Sequence, residues 1–498
     1  MKKRFLLFSF LFVQGIFVLA QSRVLDYELE LIPENLKINH SFNKQEGLLG
    51  ISMVHQNSVE HFLLKKNNTV IQFSQNVITG KSKNNDTTAT IPIEIRQICE
   101  QVFVGGLAYT NTILEAYNDN RENTIYIVTT NFLNSSSCIT DTIKLSSKEN
   151  LVSAFEQNNN LYFFTSFTKS DKIRIYKKEI SEKVTFLEKI LSNTAYRERS
   201  KKRNNNFSDL FETEFSVIEK EKQYPLSITE APNKFYIFPG KLLFTSDNNP
   251  QVTLLLEVNI ETLSTQSWAI PKNNGNSKSK KMVSNSIVID SIIIQASVAE
   301  ENLHLSFSNL FTGELYKTYT DNGIDGTLFG KNVLQVEKRK NKMDSSFTDV
   351  KRLLKKIKQN QVALSVKANN DDIEVNIGAI YVRNYTFAST LLSIAASALG
   401  TYGINSIPNV MGFAVGIFSL HGLAGNTISI NILFNKKDFS FTDGIGVNSI
   451  ENNSAKLGSF LAVNKVNKKN AFLIETTPGQ YYLGWFDMED SKLYVYYF

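Results

Sequence analysis

The sequence is poor in the residues that staple small domains or build metal sites. Its 498 residues include only two cysteines, five histidines, two tryptophans and nine prolines. A chain of this length has enough apolar material to hold its core without a disulfide. The nine prolines and 35 phenylalanines indicate instead that apolar residues are carried in short aromatic and β-branched runs, as strands require.

A strong charge of one sign is also missing. The formal net charge is +6, and Lys2, Lys3 and Arg4 contribute half of it. Without those three residues the chain keeps 51 basic and 48 acidic side chains. That balance lacks the clustered basic footprint expected of a nucleic-acid-binding protein, so no nucleic-acid partner is predicted. Ordinary hydrophobic and charged fractions, 42% and 20%, exclude global disorder.

Sequence motifs of catalysis are absent. The chain has no H-E-x-x-H helix, nucleophile elbow, phosphate loop or dinucleotide fingerprint. We therefore predict no cofactor and favour a protein that is not an enzyme. An enzyme is not excluded, because glycosidase-type sites use Asp and Glu residues scattered over different strands.

The N-terminus has the three parts of a secretory signal peptide. A basic start, Lys2-Lys3-Arg4, precedes an apolar run over 5–18, and Val18-Leu19-Ala20 provides a cleavage site before Gln21. The apolar run is too short for a membrane anchor. The sequence therefore predicts a signal peptide over 1–20, cleaved after Ala20, and an extracytoplasmic location, either periplasmic or secreted.

Beyond the signal, short strand-like runs recur between turn residues. A phrase of Asn or Asp followed by aromatic or aliphatic residues returns along the chain, as in Asn159-Asn160-Leu161-Tyr162 and Asn302-Leu303-His304. Loose self-similarity of this kind predicts an all-β fold with a β-propeller-like architecture. Tandem β-sandwiches are the alternative, since they give similar strand statistics. We expect one large domain over 21–498, with insertions at 197–224, 335–360 and 385–425.

Two of these insertions have distinct compositions. The segment 197–224 is charged and rich in asparagine, which predicts an exposed excursion. Within 335–360, residues 346–358 predict one short amphipathic helix, because Leu353, Leu354 and Ile357 recur on one face and lysines on the other. The basic face is either solvated or a docking surface for an anionic membrane or an acidic partner.

The third insertion, 385–425, is the best candidate for a functional contact. It contains no Asp, Glu, Lys or Arg from Thr386 to Gly425, and each apolar half is too short to span a bilayer as a helix. Either it folds over the protein's own core or it contacts a partner or a membrane surface. The residues predicted to make that contact are Phe387, Leu391, Leu392, Ile394, Leu399, Met411, Phe413 and Phe418.

Two further sites are weaker candidates. His55 and His61 flank a turn with Glu60 adjacent, and two imidazoles with a carboxylate are able to hold zinc. Single-hairpin histidines are more often ordinary surface residues. Cys99 and Cys138 lie in strand-like surroundings, so they form either a disulfide between neighbouring strands or two free thiols.

These observations predict an exported, non-catalytic binding or scaffolding protein of the cell envelope. Its partner would be an unknown protein, another envelope component or a membrane surface. An extracellular hydrolase that acts on a polymer is the alternative. The alternating aromatics Tyr494, Tyr496 and Phe498 resemble the terminal strand of bacterial outer-membrane barrels, which makes such a barrel a second alternative.

Overall fold

The computed structural model of the chain describes its β-strands, most of the turns between them and two helices. The described residues are 22–28, 36–43, 45–55, 58–65, 70–77, 102–120, 122–134, 136–191, 210–211, 215–219, 224, 226–249, 251–273, 282–299, 302–321, 334–338, 342–343, 350–368, 371–382, 426–442, 471–477, 480–487 and 490–497.

The strands form seven separate sheets in chain order. Sheet 1 contains β2 (Lys37–Asn43), β3 (Leu48–His55), β4 (Ser58–Lys65) and β5 (Val70–Val77). Sheet 2 contains β6 (Val102–Tyr109), β7 (Thr112–Asp119), β8 (Thr124–Asn131) and β9 (Ser136–Lys144). Sheet 3 contains β10 (Glu149–Gln157), β11 (Asn160–Phe167), β12 (Lys172–Lys178) and β13 (Thr185–Ile190).

Sheets 4 to 6 continue the series. Sheet 4 has β14 (Ser216–Glu219), β15 (Asn233–Phe238), β16 (Lys241–Ser246), β17 (Val252–Asn259) and β18 (Thr265–Pro271), with helix α1 (Leu226–Thr229) before β15. Sheet 5 has β19 (Met282–Ile289), β20 (Ile292–Ala299), β21 (Asn302–Asn309) and β22 (Leu315–Asp321). Sheet 6 has β23 (Leu334–Lys338), β24 (Lys342–Met343), β25 (Ala363–Ala368), β26 (Asp372–Val382) and β27 (Asn426–Asn435), with helix α2 (Val350–Gln359) before β25.

Sheet 7 joins the two ends of the chain. It contains β28 (Ala471–Thr477), β29 (Gln480–Asp487), β30 (Lys492–Tyr497) and, as its fourth strand, β1 (Ser22–Glu28). β1 pairs antiparallel with β30, so Tyr27 lies opposite Leu493. The aromatic alternation at the C-terminus therefore belongs to a strand that lies inside one four-stranded sheet.

Asparagines make the tight turns that the recurring phrase predicts. Asn158 and Asn159 form the two-residue loop between β10 and β11, with φ angles of 51° and 61°. A hairpin loop with two positive φ angles matches the right-handed twist of the strands that it joins, and asparagine tolerates that conformation well. Leu161, Tyr162 and Phe163 then follow as a buried strand.

Apolar side chains join each sheet to the next. Buried clusters lie at the junctions of sheets 7 and 1, 1 and 2, 2 and 3, 3 and 4, 4 and 5, and 5 and 6. Phe307 of sheet 5 and Phe434 of sheet 6 illustrate the packing, with ring centroids 4.9 Å apart. Because sheets 1 to 5 each pack on both neighbours, the alternative of tandem sandwiches, which pack sheets in pairs, is wrong. The all-β, β-propeller-like architecture is confirmed.

Part of the segment 197–224 lies inside the protein. Phe211 and Phe215 pack between sheets 3 and 4, and Ile218 on β14 packs between sheets 4 and 5. β14 pairs in parallel with β15, and α1 packs on β25 and β26 of sheet 6. The prediction of an exposed excursion is wrong for these residues, because apolar side chains among the charged ones fill the junctions between sheets.

The one short amphipathic helix is confirmed as α2, within the expected 335–360 segment. Leu353, Leu354 and Ile357 are buried in the cluster between sheets 5 and 6. The same segment also contains β23, which pairs with β27 and so belongs to the sheet itself. Among the described residues, no helix has both the length and the apolar character that crossing a membrane requires.

Candidate functional site

The residues predicted to contact a partner lie in the sequence that connects two paired strands of sheet 6. Val382 at the end of β26 lies opposite Asn426 at the start of β27, and the sequence 383–425 connects them. The eight predicted contact residues, Phe387, Leu391, Leu392, Ile394, Leu399, Met411, Phe413 and Phe418, lie outside the described residues. The structure therefore defines where the segment leaves and rejoins the sheet.

The three candidate zinc ligands do not form one group in the strand register. The β3–β4 hairpin pairs His61 with Ser52 and pairs His55 with Ser58. Glu60 and His61 are adjacent on β4 and so point to opposite faces of sheet 1. Within the part of the chain that the structure describes, no three His, Cys, Asp or Glu side chains come together as metal ligands.

The two cysteines differ in what the structure shows. Cys138 lies on β9, the outer strand of sheet 2, where it is exposed and forms no disulfide with any described residue. Cys99 lies outside the described residues. A disulfide between them stays a prediction.

His61 belongs to a buried polar pocket between sheets 1 and 2. Its Nδ1 lies 2.8 Å from Ser52 Oγ and 3.9 Å from Glu115 Oε2, and its Nε2 lies 3.4 Å from Thr130 Oγ1. Burial lowers the pKa of His61 to about 3 and raises the pKa of Glu115 to about 7. Both side chains are therefore neutral near pH 6.

This pocket is structural, although a carboxyl group with a pKa near 7 would suit acid catalysis. His61 and Glu115 are 2% and 1% exposed, so a polymer substrate has no access to them. The sequence did not point to Glu115, because it comes from the neighbouring sheet. In the sequence, Glu115 stands out only as a charged residue between the apolar Leu114 and Ala116 of β7. An alternating strand is expected to have a polar residue at such a position, so this signal does not indicate a site.

A second buried polar cluster joins sheets 4, 5 and 6. Lys272 Nζ lies 3.0 Å from Asp247 Oδ1, and Thr253 donates a hydrogen bond of 2.7 Å to the same oxygen. The backbone N–H and the hydroxyl of Ser286 on β19 each donate to Asp247 Oδ2 at 2.7 Å. The carboxylate of Asp247 thus accepts bonds from sheets 4 and 5 at once.

Lys234 and Asn285 extend this cluster toward sheet 6. Lys234 Nζ donates to the Ala231 carbonyl at 2.8 Å and to Asn285 Oδ1. Asn285 Nδ2 donates to the carbonyls of Thr229 at 3.1 Å and of Val362, just before β25, at 2.9 Å. Burial lowers the pKa of Lys234 to about 8. The satisfied bonds indicate that the cluster holds the end of α1 against sheets 5 and 6.

The outer strand of sheet 3, β13, exposes apolar side chains. Phe186 is 55% exposed and Ile190 71% exposed, while Leu187 projects from the opposite face of the same strand. β13 pairs with β12 in a regular register, and no strand pairs with its other edge in the described part of the chain. An apolar outer edge of this kind is a surface on which extended peptide segments add.

Ion pairs join β13 to the neighbouring strand β12. Glu188 accepts from Lys172 Nζ at 2.7 Å and from Arg174 Nε at 2.9 Å, and Arg174 Nη1 also donates to the buried Glu149 at 2.9 Å. The guanidinium carbon of Arg174 lies 4.7 Å from the ring centroid of Phe186. Arg174 therefore lies next to both the carboxylate of Glu188 and the ring of Phe186.

The sheet order and the packing between sheets define the described part of the chain as β-propeller-like, with seven sheets. No family model matches the sequence, and no curated protein matches it. Among solved structures, it is similar to the WD40 domain of SCAP from fission yeast, with 7% identity, TM-score 0.32 and coverage of 95% and 97% of the two chains. It is also similar to the Dos1 propeller, with 7% identity, TM-score 0.30 and coverage of 72% of each chain.

Proposed function

We propose that this protein is an exported, non-catalytic β-propeller that binds or scaffolds a component of the cell envelope. The segment 385–425 makes the contact with a partner or a membrane surface. Cleavage after Ala20 leaves β1 whole, because that strand begins at Ser22. The mature chain is therefore able to complete sheet 7 after export.

One observation carries the contact proposal. Val382 and Asn426 are directly paired, so two residues would be enough to join β26 and β27 as a hairpin. The sequence inserts 383–425 at this point. Connections between elements of compact domains have a median length of about 4–6 residues, so the inserted 383–425 is long. An apolar segment without Asp, Glu, Lys or Arg from Thr386 to Gly425 suits a contact with a partner or a membrane.

The open edge of β13 favours a protein as part of that partnership. Phe186 and Ile190 share one face of the edge strand, where they are able to pack against alternate side chains of an added strand. This surface belongs to sheet 3 and the segment 385–425 leaves sheet 6. Variants of the two are therefore separable in one experiment.

The test replaces 383–425 by Asn-Gly, which favours the two-residue turn that the strand register allows. Fractionation of cell envelopes with a carbonate wash, and flotation with vesicles of anionic and of neutral lipids, compare this variant with the parent chain. We expect the variant to keep the circular dichroism spectrum and Tm of the parent and to lose envelope or vesicle association.

Glu314→Gln, at an exposed carboxylate of the β21–β22 hairpin, is the control, since it leaves both sheet 6 and the β13 edge unchanged. It should retain any vesicle association of the parent chain. Equal envelope and vesicle association of the Asn-Gly variant and the parent chain contradicts a contact through 385–425. N-terminal sequencing of the exported protein tests the signal peptide, with Gln21 expected as the first residue.

A further inference from the structure

The two faces of sheet 6 differ in chemistry. Ile373, Val375 and Ile377 of β26 point into the apolar cluster between sheets 5 and 6. The intervening residues of the same strand, Glu374 and Asn376, point to the opposite face. This second face of sheet 6 is turned away from sheet 5 and carries polar side chains on the neighbouring strands as well.

Three of these polar side chains are more than nine-tenths buried. Glu374, Asn376 and Asn431 are 4%, 8% and 6% exposed. Asn376 on β26 lies directly opposite Asn431 on β27, and Glu374 lies two residues from Asn376 along β26. Side chains at directly opposite and next-but-one positions of paired strands are close enough to share one ligand.

These side chains have polar atoms without a hydrogen-bond partner. The atoms are Glu374 Oε1, Asn376 Oδ1, and both Oδ1 and Nδ2 of Asn431, and all four are shielded from solvent. A buried polar atom without a partner costs free energy, so natural proteins rarely keep several together without a ligand or ordered water. Here three acceptors are left against one donor.

Lys367 lies opposite Glu374 on the neighbouring strand β25 and is partly buried.

Oxygen acceptors of this kind are the ligands of hard cations. Carboxylate and amide oxygens coordinate Ca²⁺ at 2.3–2.6 Å in irregular arrangements. These distances are shorter than the distance between the oxygens of a hydrogen-bonded water and its partner. Mg²⁺ requires near-ideal octahedral geometry at about 2.0–2.1 Å, which places a stricter demand on the positions of its ligands. Ca²⁺ is therefore the cation that these side chains fit best.

We propose that Glu374, Asn376 and Asn431 bind a Ca²⁺ ion on the face of sheet 6 that is turned away from sheet 5. With one carboxylate among the ligands, the dissociation constant falls in the range of extracellular calcium modules, about 10⁻⁴–10⁻³ M. The ion satisfies the three buried oxygens and so stabilises the two strands from which the segment 383–425 leaves.

Calorimetric titration of the EDTA-treated mature chain with CaCl₂ up to 10 mM tests this site. We expect saturable binding with a dissociation constant of about 0.1–1 mM, and MgCl₂ binding at least about tenfold weaker. Glu374→Gln, which keeps the shape of the side chain, should abolish calcium binding. Glu314→Gln, at an exposed carboxylate of the β21–β22 hairpin, should bind as the parent chain does.

Asn431→Leu provides a second readout that does not depend on the charge of the ligands. It removes two buried atoms without partners, so without calcium its Tm should equal or exceed that of the parent chain. With 10 mM CaCl₂ the parent chain should gain about 1–3 °C in Tm, and this variant should gain none.

Three results would overturn the site. They are the absence of saturable calcium binding to the parent chain, equal binding of Mg²⁺, and unchanged calcium binding by Glu374→Gln. If Asn431→Leu does not fold, the comparison of Glu374→Gln with Glu314→Gln still decides the matter. The measurement uses no lipid or protein partner, so a failure of the proposed envelope contact leaves its outcome readable.

Discussion

At the scale of single residues, the buried pair His61 and Glu115 controls how stability depends on pH. Burial between sheets 1 and 2 holds both side chains neutral. His61 would become charged as the pH falls and Glu115 as the pH rises, so the two limit stability at opposite ends of the pH range. The hydroxyls of Ser52 and Thr130 lie within hydrogen-bond distance of the two imidazole nitrogens, and neither hydroxyl carries a charge.

We expect maximal stability near pH 5–6. Glu115 has a folded pKa of about 7, above its value of 4.5 in the unfolded chain, so its stabilisation is complete below pH 4.5 and is lost as the pH rises through 7. His61 has a folded pKa of about 3, below its unfolded 6.5, so its contribution is present above pH 6.5 and is lost as the pH falls through 3. Urea unfolding between pH 4 and 8 measures the curve.

Glu115→Gln isolates the alkaline limb of that curve. Between pH 5 and 8 the contribution of Glu115 should fall by on the order of 2–3 kcal/mol, while that of His61 rises by about 2 kcal/mol, so the parent chain should change by under about 1 kcal/mol. The variant, whose amide does not ionise, should instead gain about 2 kcal/mol over this range. Exposed Glu314→Gln, as a control, should leave the curve unchanged. Identical pH profiles for parent and Glu115→Gln would show that the carboxyl group is not held neutral in the folded protein.

At the scale of elements, Asn285 joins three parts of the chain that are distant in sequence. Its side chain binds the backbone of Thr229 at the end of α1 and of Val362 before β25, while Lys234 donates to its Oδ1. Side-chain hydrogen bonds of this kind, unlike the backbone hydrogen bonds within a sheet, determine how neighbouring sheets and α1 pack together.

Asn285→Ala should lower the free energy of unfolding by about 2–4 kcal/mol, because buried carbonyls and the Lys234 ammonium lose their partner. Asn309→Ala, at an exposed turn where the side chain bonds Phe311 N and Thr312 N, should cost under about 1 kcal/mol. Denaturant unfolding of the two variants gives the comparison. Similar losses in both would mean that Asn285 does not tie α1 to sheets 5 and 6.

The apolar edge strand β13 should tolerate charge without loss of stability. Ile190 is 71% exposed, so Ile190→Lys should change the free energy of unfolding by under about 0.5 kcal/mol. A lysine on an edge strand opposes strand addition, so any self-association of the parent chain should decrease. Light scattering at increasing concentration measures this. A destabilisation above about 2 kcal/mol would show that the residue is not exposed in solution.

At the scale of the whole molecule, the first and last strands close one sheet. β1 contributes Leu25 to the core between sheets 7 and 1, and it covers the edge of β30. Sheet 7 is therefore incomplete without a segment that is separated from it by more than 440 residues of sequence.

Removal of residues 21–30 from the mature chain should lower its Tm by on the order of 5–10 °C, through the loss of the β1–β30 pairing and of Leu25 from the core. The matched reference is the chain that begins at Gln21. Leu25→Ala should produce part of the effect, about 2–3 kcal/mol. Unchanged thermal unfolding after the truncation would argue against closure by β1.

Much of the fold was predictable from particular residues. The Asn158-Asn159 turn and the apolar run that follows it are enough to predict the β10–β11 hairpin. Leu353, Leu354 and Ile357 likewise predicted α2 by their spacing. Such signals are readable because a turn or an amphipathic face depends on residues within a few positions of one another.

The polar sites were not predictable in the same way. The sequence singled out His61 as a candidate zinc ligand with His55 and Glu60, whereas the structure places Ser52 across the hairpin and Glu115 from the next sheet beside it. The charged appearance of 197–224 hid Phe211, Phe215 and Ile218, which are buried because other sheets meet over them.

The sequence by itself determined the all-β fold, the turns and the amphipathic helix, since each depends on local backbone preferences and short-range periodicity. Only the tertiary structure decided that β1 closes sheet 7, that β23 joins sheet 6, and that Glu374, Asn376 and Asn431 share one buried face. These contacts join residues far apart in sequence. Their energies come from packing between sheets, on which local patterns carry no information.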